Sequence, residues 1–390
     1  MRPPKKVLFT SHIANFSKFS RPFMQWFSEQ GYEVHYASTG EEIVLDCDKH
    51  FNIPFERSPF KLNNLRAIFR LKKIIDTEHY DIIHTHTPMG SVVTRLAALS
   101  SRKNHKTRVI YTAHGFHFFK GAPLLNWLIY YPIERYMARH TDTLITINKE
   151  DYNRAKRSFK TNVVYISGVG INPNNFRQSM TTDEKQKLRE SLGIHSDDFV
   201  MIYPAELSKR KRQIWLINSL STIMKNDSRY HLVLPGKDSL NGKCQQLVES
   251  LGLGKNIHFL GYRNDIPQLM MISDLAVSSS SQEGLPVNIM EAMSVGLPIV
   301  ATNCRGNSDL IQQGKTGFVI GINDTEAITA MITQLRSDEI SRNRMAMANR
   351  AIIQDYILEK IIIDMAEIYN ATEPIVIIDR SLVTTGSIYG

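Results

Sequence analysis

A chain of 390 residues with 42% hydrophobic content has enough apolar surface for two domains of ordinary size, each with its own core, which excludes a single small module. Its three cysteines, Cys47, Cys244 and Cys304, are far apart and lack histidine or cysteine at metal spacing; they exclude a disulfide framework and a zinc site and point to a reducing compartment, the cytosol. The net charge of +9 is uneven, with 26 Lys and Arg against 14 Asp and Glu through Arg177, so the first half is basic and favours an anionic partner: nucleic acid, an anionic membrane surface or a phosphorylated lipid. No apolar run reaches the length of a bilayer, and the opening Met1-Arg2-Pro3-Pro4-Lys5-Lys6 leads into a short strand-like stretch rather than a signal-peptide core, so neither a secreted nor an integral protein is expected.

Taken in chain order, the first half alternates short apolar runs with helical stretches. Strands are expected at 6–10, 33–37, 81–84, 109–112 and 144–147, and helices at 21–30 and 91–99. This is the rhythm of a parallel sheet wound with helices, and it fills a first Rossmann-like domain over 1–168. Between 57 and 73, Arg57, Lys61, Arg66, Arg70, Lys72 and Lys73 interleave with apolar residues at helical spacing, which makes a basic amphipathic helix suited to a membrane surface or to a solvated face of the domain. His84 and His86 stand one residue apart at a strand end and face the same way; with no third ligand nearby, hydrogen bonding rather than metal binding is expected of them. His114 follows the strand 109–112 and precedes Gly115, which favours it for a catalytic region. Aromatic and aliphatic residues crowd 116–136, where a buried helix is expected and an exposed interfacial patch is the alternative.

Residues 169–176, rich in Gly, Asn and Pro, read as a linker. The second domain, over 177–350, repeats the rhythm with strands at 199–203, 231–234, 257–260, 275–278 and 298–302 and helices such as 213–224 and 241–251. A long helical pattern runs from 338 to 369, of which 351–370 is expected to cross back to the first domain; the tail 371–390 has no assigned role. In open sheets of this kind ligands sit outside the carboxyl ends of the strands, so a cleft between the domains is the expected site.

The most specific stretch is Glu283-Gly284-Leu285-Pro286-Val287-Asn288-Ile289-Met290-Glu291, which continues as Ala292-Met293-Ser294-Val295-Gly296-Leu297-Pro298. It follows a strand-like run, and Pro286 suits the first position of a helix, where its missing N–H costs nothing. On one helix the two acids would stand about 80° apart. With Glu283 on the loop and Glu291 in the helix, both can converge on one ligand. The helix start between them offers unpaired N–H groups and a positive dipole end, suited to a diphosphate. One acid would grip a sugar and the other a ribose.

This frame, Glu-Gly-x-Pro…Glu-Ala-Met…Gly-x-Pro, resembles the retaining glycosyltransferases of the family-four, GT-B type, whose signature is two glutamates separated by seven residues. The resemblance runs through about Tyr369 and implies two Rossmann-like domains with parallel sheets facing across an interdomain cleft, the first binding the acceptor and the second the donor. It implies that Glu283 anchors the donor sugar and Glu291 the ribose, with Gly284, Leu285, Pro286, Val287 and Asn288 at the diphosphate. Ala205-Glu206-Leu207-Ser208-Lys209-Arg210-Lys211 is similar to the family's Gly-Arg-Leu-x-x-x-Lys phosphate loop, so Lys211 would neutralise the leaving diphosphate. Glu206 stands where many relatives have arginine, which removes one expected contact, and Lys209, Arg210 or Arg212 is left to compensate. Gly236 lies at a strand end, and Tyr262 and Arg263 fall where relatives meet the base. His114 matches a Thr-x-His motif beside the donor sugar. The opening His12-Ile13-Ala14-Asn15-Phe16 departs from the usual Gly-Gly loop and looks like the subgroup of bacterial exopolysaccharide and capsule enzymes, with His12, Asn15, Lys18 and His86 toward the acceptor.

The implied activity is transfer of a hexose or N-acetylhexosamine from a nucleotide sugar, with a UDP-sugar favoured, to a glycan or polyprenyl-diphosphate-linked acceptor in surface polysaccharide synthesis. No cofactor and no metal are expected, because the pair Asp46 and Asp48 lies outside any matching context. No nucleic-acid partner is expected, and the location is the cytosol with peripheral contact to an anionic membrane. The rival readings are a sugar-nucleotide epimerase or hydrolase on the same fold and a non-catalytic partner subunit.

Overall fold

Apolar runs without polar alternation make the central strands: Phe199–Ile202 and Leu275–Ser278 are buried at every position, the pattern of parallel strands covered on both faces. The computed structural model describes residues 4–176 and 179–371. It divides into two units, one formed by the chain through Val169 together with the stretch from Glu359 on, the other by Gly170–Leu358. The tail to which no role was assigned lies, from residue 372, outside the described residues.

In the first unit β1 (Lys6–Ile13), β2 (Glu33–Thr39), β3 (Lys49–Asn52), β4 (Ile82–His86), β5 (Arg108–Ala113), β6 (Thr143–Thr146) and β7 (Asn162–Tyr165) form one parallel sheet in the order β3-β2-β1-β4-β5-β6-β7. The alternation along β1 sends Leu8 to one face, where Ala67, Leu71 and Ile75 of the helix Asn63–Glu78 pack with Val93 and Ala97 of the helix Pro88–Ala97. Val7 and Phe9 go to the other face, under Phe23, Met24 and Phe27 of the helix Ser17–Glu29 and Ile361, Met365 and Ile368 of the helix Leu358–Asn370. Arg108 fastens that last helix, donating to the carbonyls of Tyr369 at 2.7 Å and Ile368 at 2.8 Å.

The second unit has β8 (Phe199–Ile202), β9 (Tyr230–Pro235), β10 (Ile257–Gly261), β11 (Leu275–Ser278), β12 (Ile299–Thr302) and β13 (Gly317–Ile320), all parallel in the order β10-β9-β8-β11-β12-β13. In both sheets the winding reverses once, between β1 and β4 and between β8 and β11. The loops leaving the carboxyl ends of such a strand pair open onto one crevice.

The expectations differ from the structure in several places; the basic helix expected over 57–73 is Asn63–Glu78, with Arg57 and Lys61 ahead of it. The strands β3, β7 and β13 were not expected; each is a four-residue edge strand. The continuous helix expected over 338–369 is two helices, Glu339–Ile352 and Leu358–Asn370, parted by the turn Ile353–Tyr356. The break falls where the chain pairs with the connector, Ile171 N donating to Tyr356 O at 3.1 Å and Leu358 N to Ile171 O at 2.8 Å. The crowded 116–136 stretch divides: Phe116 and Phe118 are buried, whereas Leu124, Leu125 and Leu128 of the helix Leu124–Met137 face solvent.

Candidate active site

In the second unit the loop after β11 carries Glu283 into a cage of donors. Its Oε1 accepts from Lys211 Nζ at 2.6 Å and from Ser280 Oγ at 2.6 Å, and its Oε2 from Arg210 at 2.8 Å. Both cations stand on the loop after β8, so the pair spans the switch point of the sheet. Glu283 is only 7% exposed. Burial pushes its carboxyl up, but the Lys211 ammonium and the Arg210 guanidinium outweigh burial and hold it below the ordinary value. Tyr203 Oη meets Ser280 Oγ at 2.7 Å, and Ser279 Oγ donates to Lys211 O at 2.7 Å, so both loops are braced from beneath.

The helix Val287–Val295 starts after Pro286, which occupies the cap (φ −77°, ψ 111°) rather than the first helical position expected for it, and no side chain caps this end. The amides of Val287 and Asn288 have no hydrogen-bond partner among the described residues, in contrast to the helices begun by Asn148 and Thr181, whose side chains accept from the first turn. One turn on, Glu291 has neither a hydrogen bond nor an ion pair from any described residue, and burial pushes its carboxyl up to about 7. The two glutamates thus stand in opposite electrostatic settings. Leu285 is buried, and Gly284 is clasped by Gly306, where an added Cβ would lie 2.6 Å from Gly284 O.

The other second-unit candidates lie in differing settings. Gly236 presses on the loop after β8 so closely that a Cβ there would lie 1.9 Å from Ala205 O. Tyr262 is exposed, with Lys237 Nζ 5.4 Å from its ring, and Arg263 is engaged by Asp265. Arg212 is turned away, donating to Ile322 O at 2.6 Å and Asn323 Oδ1 at 2.7 Å, so Arg210 is the basic neighbour that joins Lys211. Glu206 accepts from Ser239 Oγ. Sequence reasoning missed Arg305, whose Nε donates to Glu283 O at 2.9 Å, and Gly306. Both follow the carboxyl end of β12, and the strand-end rule applied to β11 would have found them.

In the first unit His114 Nε2 meets His86 Nδ1 at 3.1 Å, and Phe16 closes on His114 edge-on at 4.8 Å. His84 lies 4.2 Å from His86, ring to ring, held by Tyr369 Oη at 2.8 Å and Thr112 Oγ1 at 2.8 Å. Burial pulls His84 down to about 3 and His114 to about 4 and holds His86 well below the ordinary value, so all three are neutral near pH 7. His86, expected toward the acceptor, is 2% exposed; it lies among the rings of His84, Phe9 and Phe16, and its hydrogen-bond contact is His114. The three imidazoles do not present a metal-binding set. Among the described residues the group with that geometry is Glu33, His35 and Glu78, already occupied by the ammonium groups of Lys6 and Lys49. His12 is half-buried, its amide bonded to Thr87 Oγ1 at 3.1 Å, and Asn15 is exposed.

Comparison with known proteins identifies the family. A family profile described as "Glycosyl transferases group 1" matches residues 184–352, and one described as "Glycosyl transferase 4-like" matches residues 6–148. The chain is 40% identical over 370 residues to the putative glycosyltransferase EpsD of Bacillus subtilis, covering 94% of this chain and 97% of that one. It is 27% identical over 315 residues to the UDP-Gal:alpha-D-GlcNAc-diphosphoundecaprenol alpha-1,3-galactosyltransferase of Escherichia coli, covering 79% and 80%. Its fold superposes on Anabaena HepE, solved in complex with UDP-glucose, with a TM-score of 0.75 at 22% identity over 93% of this chain and 99% of that one. The chain therefore belongs to the GT-B glycosyltransferases, with a "Glycosyl transferase 4-like" first half and a "Glycosyl transferases group 1" second half.

Proposed function

We propose that this glycosyltransferase moves a sugar from a UDP-sugar to a lipid-linked saccharide with retention of anomeric configuration, as a step in bacterial surface polysaccharide synthesis in the cytosol. The second unit holds the donor and the first the acceptor. The observation that carries the reading is the contrast between Glu283, caged by Lys211 and Arg210, and Glu291, half-buried and without a partner among the described residues, on either side of an uncapped helix start. A carboxylate fixed by two cations is poised to accept hydrogen bonds from sugar hydroxyls. A half-buried carboxyl with no donor among the described residues is completed by the hydroxyls of a ribose, and the free amides of Val287 and Asn288 suit a diphosphate between them.

Retaining transfer stabilises positive charge at the anomeric carbon and negative charge on the departing diphosphate, and delivers the acceptor hydroxyl to the same face. Lys211 and Arg210 supply the positive charge, so the reaction runs without a metal. A donor phosphate oxygen takes the acceptor proton, and neutral His114, steadied by His86, donates a hydrogen bond to position the sugar. Tyr262 and Arg263 neighbour the base, and His12 and Asn15 the acceptor. Support for the substrate classes comes from the relatives' names: the Escherichia coli enzyme pairs UDP-Gal with a diphosphoundecaprenol-linked sugar, and Anabaena HepE was solved with UDP-glucose.

The test is transfer from a UDP-sugar to a polyprenyl-diphosphate-linked saccharide in the presence of EDTA, with the product's anomeric configuration read by NMR. Retention is expected, and an inverted product would overturn the mechanism.

A further inference from the structure

A surface helix needs one apolar stripe to hold it on its sheet, and Asn63–Glu78 has that stripe in Ala67, Leu71 and Ile75. It carries a second on the opposite side. Leu65 and Phe69 are 55% and 72% exposed, and Phe60 and Leu62 just before the helix are 76% and 79% exposed. Scattered exposed apolar residues are ordinary, but four large ones within ten positions have no folding role. Arg57, Lys61, Arg66, Arg70 and Lys73 are interleaved with them; all five are exposed, and none has an ion-pair partner among the described residues. No acidic residue occurs between Glu56 and Asp76.

A second patch repeats the chemistry. Leu124, Leu125 and Leu128 are 74%, 63% and 65% exposed at the start of the helix Leu124–Met137, with Lys120 and Arg135 exposed nearby. The two helices lie in one layer, because Pro88–Ala97 packs between them and the buried pair Arg95–Glu134, at 2.8 Å, ties it to the second. All strands of the sheet are parallel and each helix returns against them, so the opening turns of both helices lie at the carboxyl edge of the sheet. His12 at the end of β1 and His114 after β5 stand at that same edge.

We propose that this edge of the first unit docks on an anionic lipid bilayer, with the exposed apolar side chains entering the interface and the five cations pairing with lipid headgroups. A protein interface core is depleted in lysine and in unpaired charge, whereas alternating aromatic, aliphatic and basic residues fit a charged membrane surface. Docking there brings His12 and His114 to the plane in which a lipid-linked acceptor presents its saccharide. That consequence rests on the function proposed above; the docking does not.

The experiment is co-sedimentation of the full chain with vesicles of phosphatidylcholine alone and of phosphatidylcholine and phosphatidylglycerol in equal parts, for the wild type, Leu62→Ser/Phe69→Ser and Arg66→Gln/Arg70→Gln, with thermal unfolding as the fold control. The wild type is expected to bind the mixed vesicles and not the neutral ones, and to release as salt rises. Each cation removed should weaken binding about fivefold, and the apolar pair should abolish retention without lowering the unfolding temperature. Failure of the wild type to bind mixed vesicles at low salt, or equal binding by the folded variants, overturns the proposal; so does self-association that the apolar pair abolishes, which would assign the surface to a second copy. UDP binding measured in parallel separates the two claims, because its loss would sink the donor reading and leave the vesicle result standing.

Discussion

Lys211 Nζ lies 2.6 Å from Glu283 Oε1, joining residues 72 positions apart in the chain across the point where the second sheet reverses its winding. A buried pair of this kind adds little stability over an apolar pair, since desolvation offsets attraction, but removing one member strands the other. Its placement at a strand-pair crevice argues for a ligand.

Replacing the acid tests this. Glu283→Gln keeps the shape and the acceptor oxygen but loses the charge that holds Lys211 and Arg210. Transfer should fall by about a hundredfold or more. The pH dependence carries its own signature. The folded carboxyl titrates below its ordinary 4.5, so its contribution is present above that value and lost as pH falls through the folded one. Urea unfolding at successive pH values should show the wild type losing an increment below pH 4.5 that the variant lacks; parallel curves would contradict the pairing.

Glu291 shifts the other way. With its folded value near 7 against an ordinary 4.5, the chain is relatively more stable below pH 4.5 and loses that margin as pH rises to 7. Glu291→Gln should therefore stabilise the ligand-free protein at pH 8 by about 2–3 kcal/mol while weakening UDP binding. Ribose hydroxyls donating to the carboxylate would lower its value, so UDP binding at pH 7 should release a fraction of a proton, measurable by calorimetry in buffers of different ionisation enthalpy. Binding without proton release would remove the ribose role.

The histidine trio behaves as neutral hydrogen-bonding groups. His114→Ala should lower kcat by about a hundredfold through misplacement of the sugar with the Kd for UDP unchanged. Because burial draws His114 down to about 4, it contributes no inflection to the rate between pH 6 and 8. A rate inflection near 6.5 that vanishes in the variant would show a titrating base instead.

Gly306 has φ +86° and sits against Gly284 O. Gly306→Ala must push the Glu283 loop aside. A lowered unfolding temperature together with weaker donor binding is expected, read by thermal denaturation with and without UDP; an unchanged protein would mean that the loop yields freely.

Much of this was legible in the chain. The central strands announced themselves because buried parallel strands are continuous apolar runs, and the Glu283 to Glu291 spacing exposed the strand-to-helix junction. The edge strands did not: Lys49–Asn52 is mixed in polarity, and β13 opens with Gly317, a residue that reads as a breaker but is needed where a Cβ would meet Ile299 O at 2.1 Å. The break at Ile353–Tyr356 has no Gly or Pro to mark it, because it is set by backbone pairing with Ile171 from far along the chain. The unequal states of the two glutamates were likewise invisible, since they depend on which loop delivers Lys211 and Arg210. The apolar residues interleaved with the cations of 57–73 read as one amphipathic set, and only the packed helix separates Leu71 and Ile75, which are buried, from Leu65 and Phe69, which face outward.

The central claim is that the Glu283 and Lys211 junction grips the sugar end of a nucleotide sugar, and a thermal-shift panel tests it most directly. Wild type and Glu283→Gln are heated with UDP alone and with UDP-glucose, UDP-galactose and UDP-N-acetylglucosamine. The account predicts that UDP stabilises both proteins and that at least one UDP-sugar adds a further shift in the wild type alone. Equal added shifts in both proteins, or none from any of these nucleotides in the wild type, would contradict it.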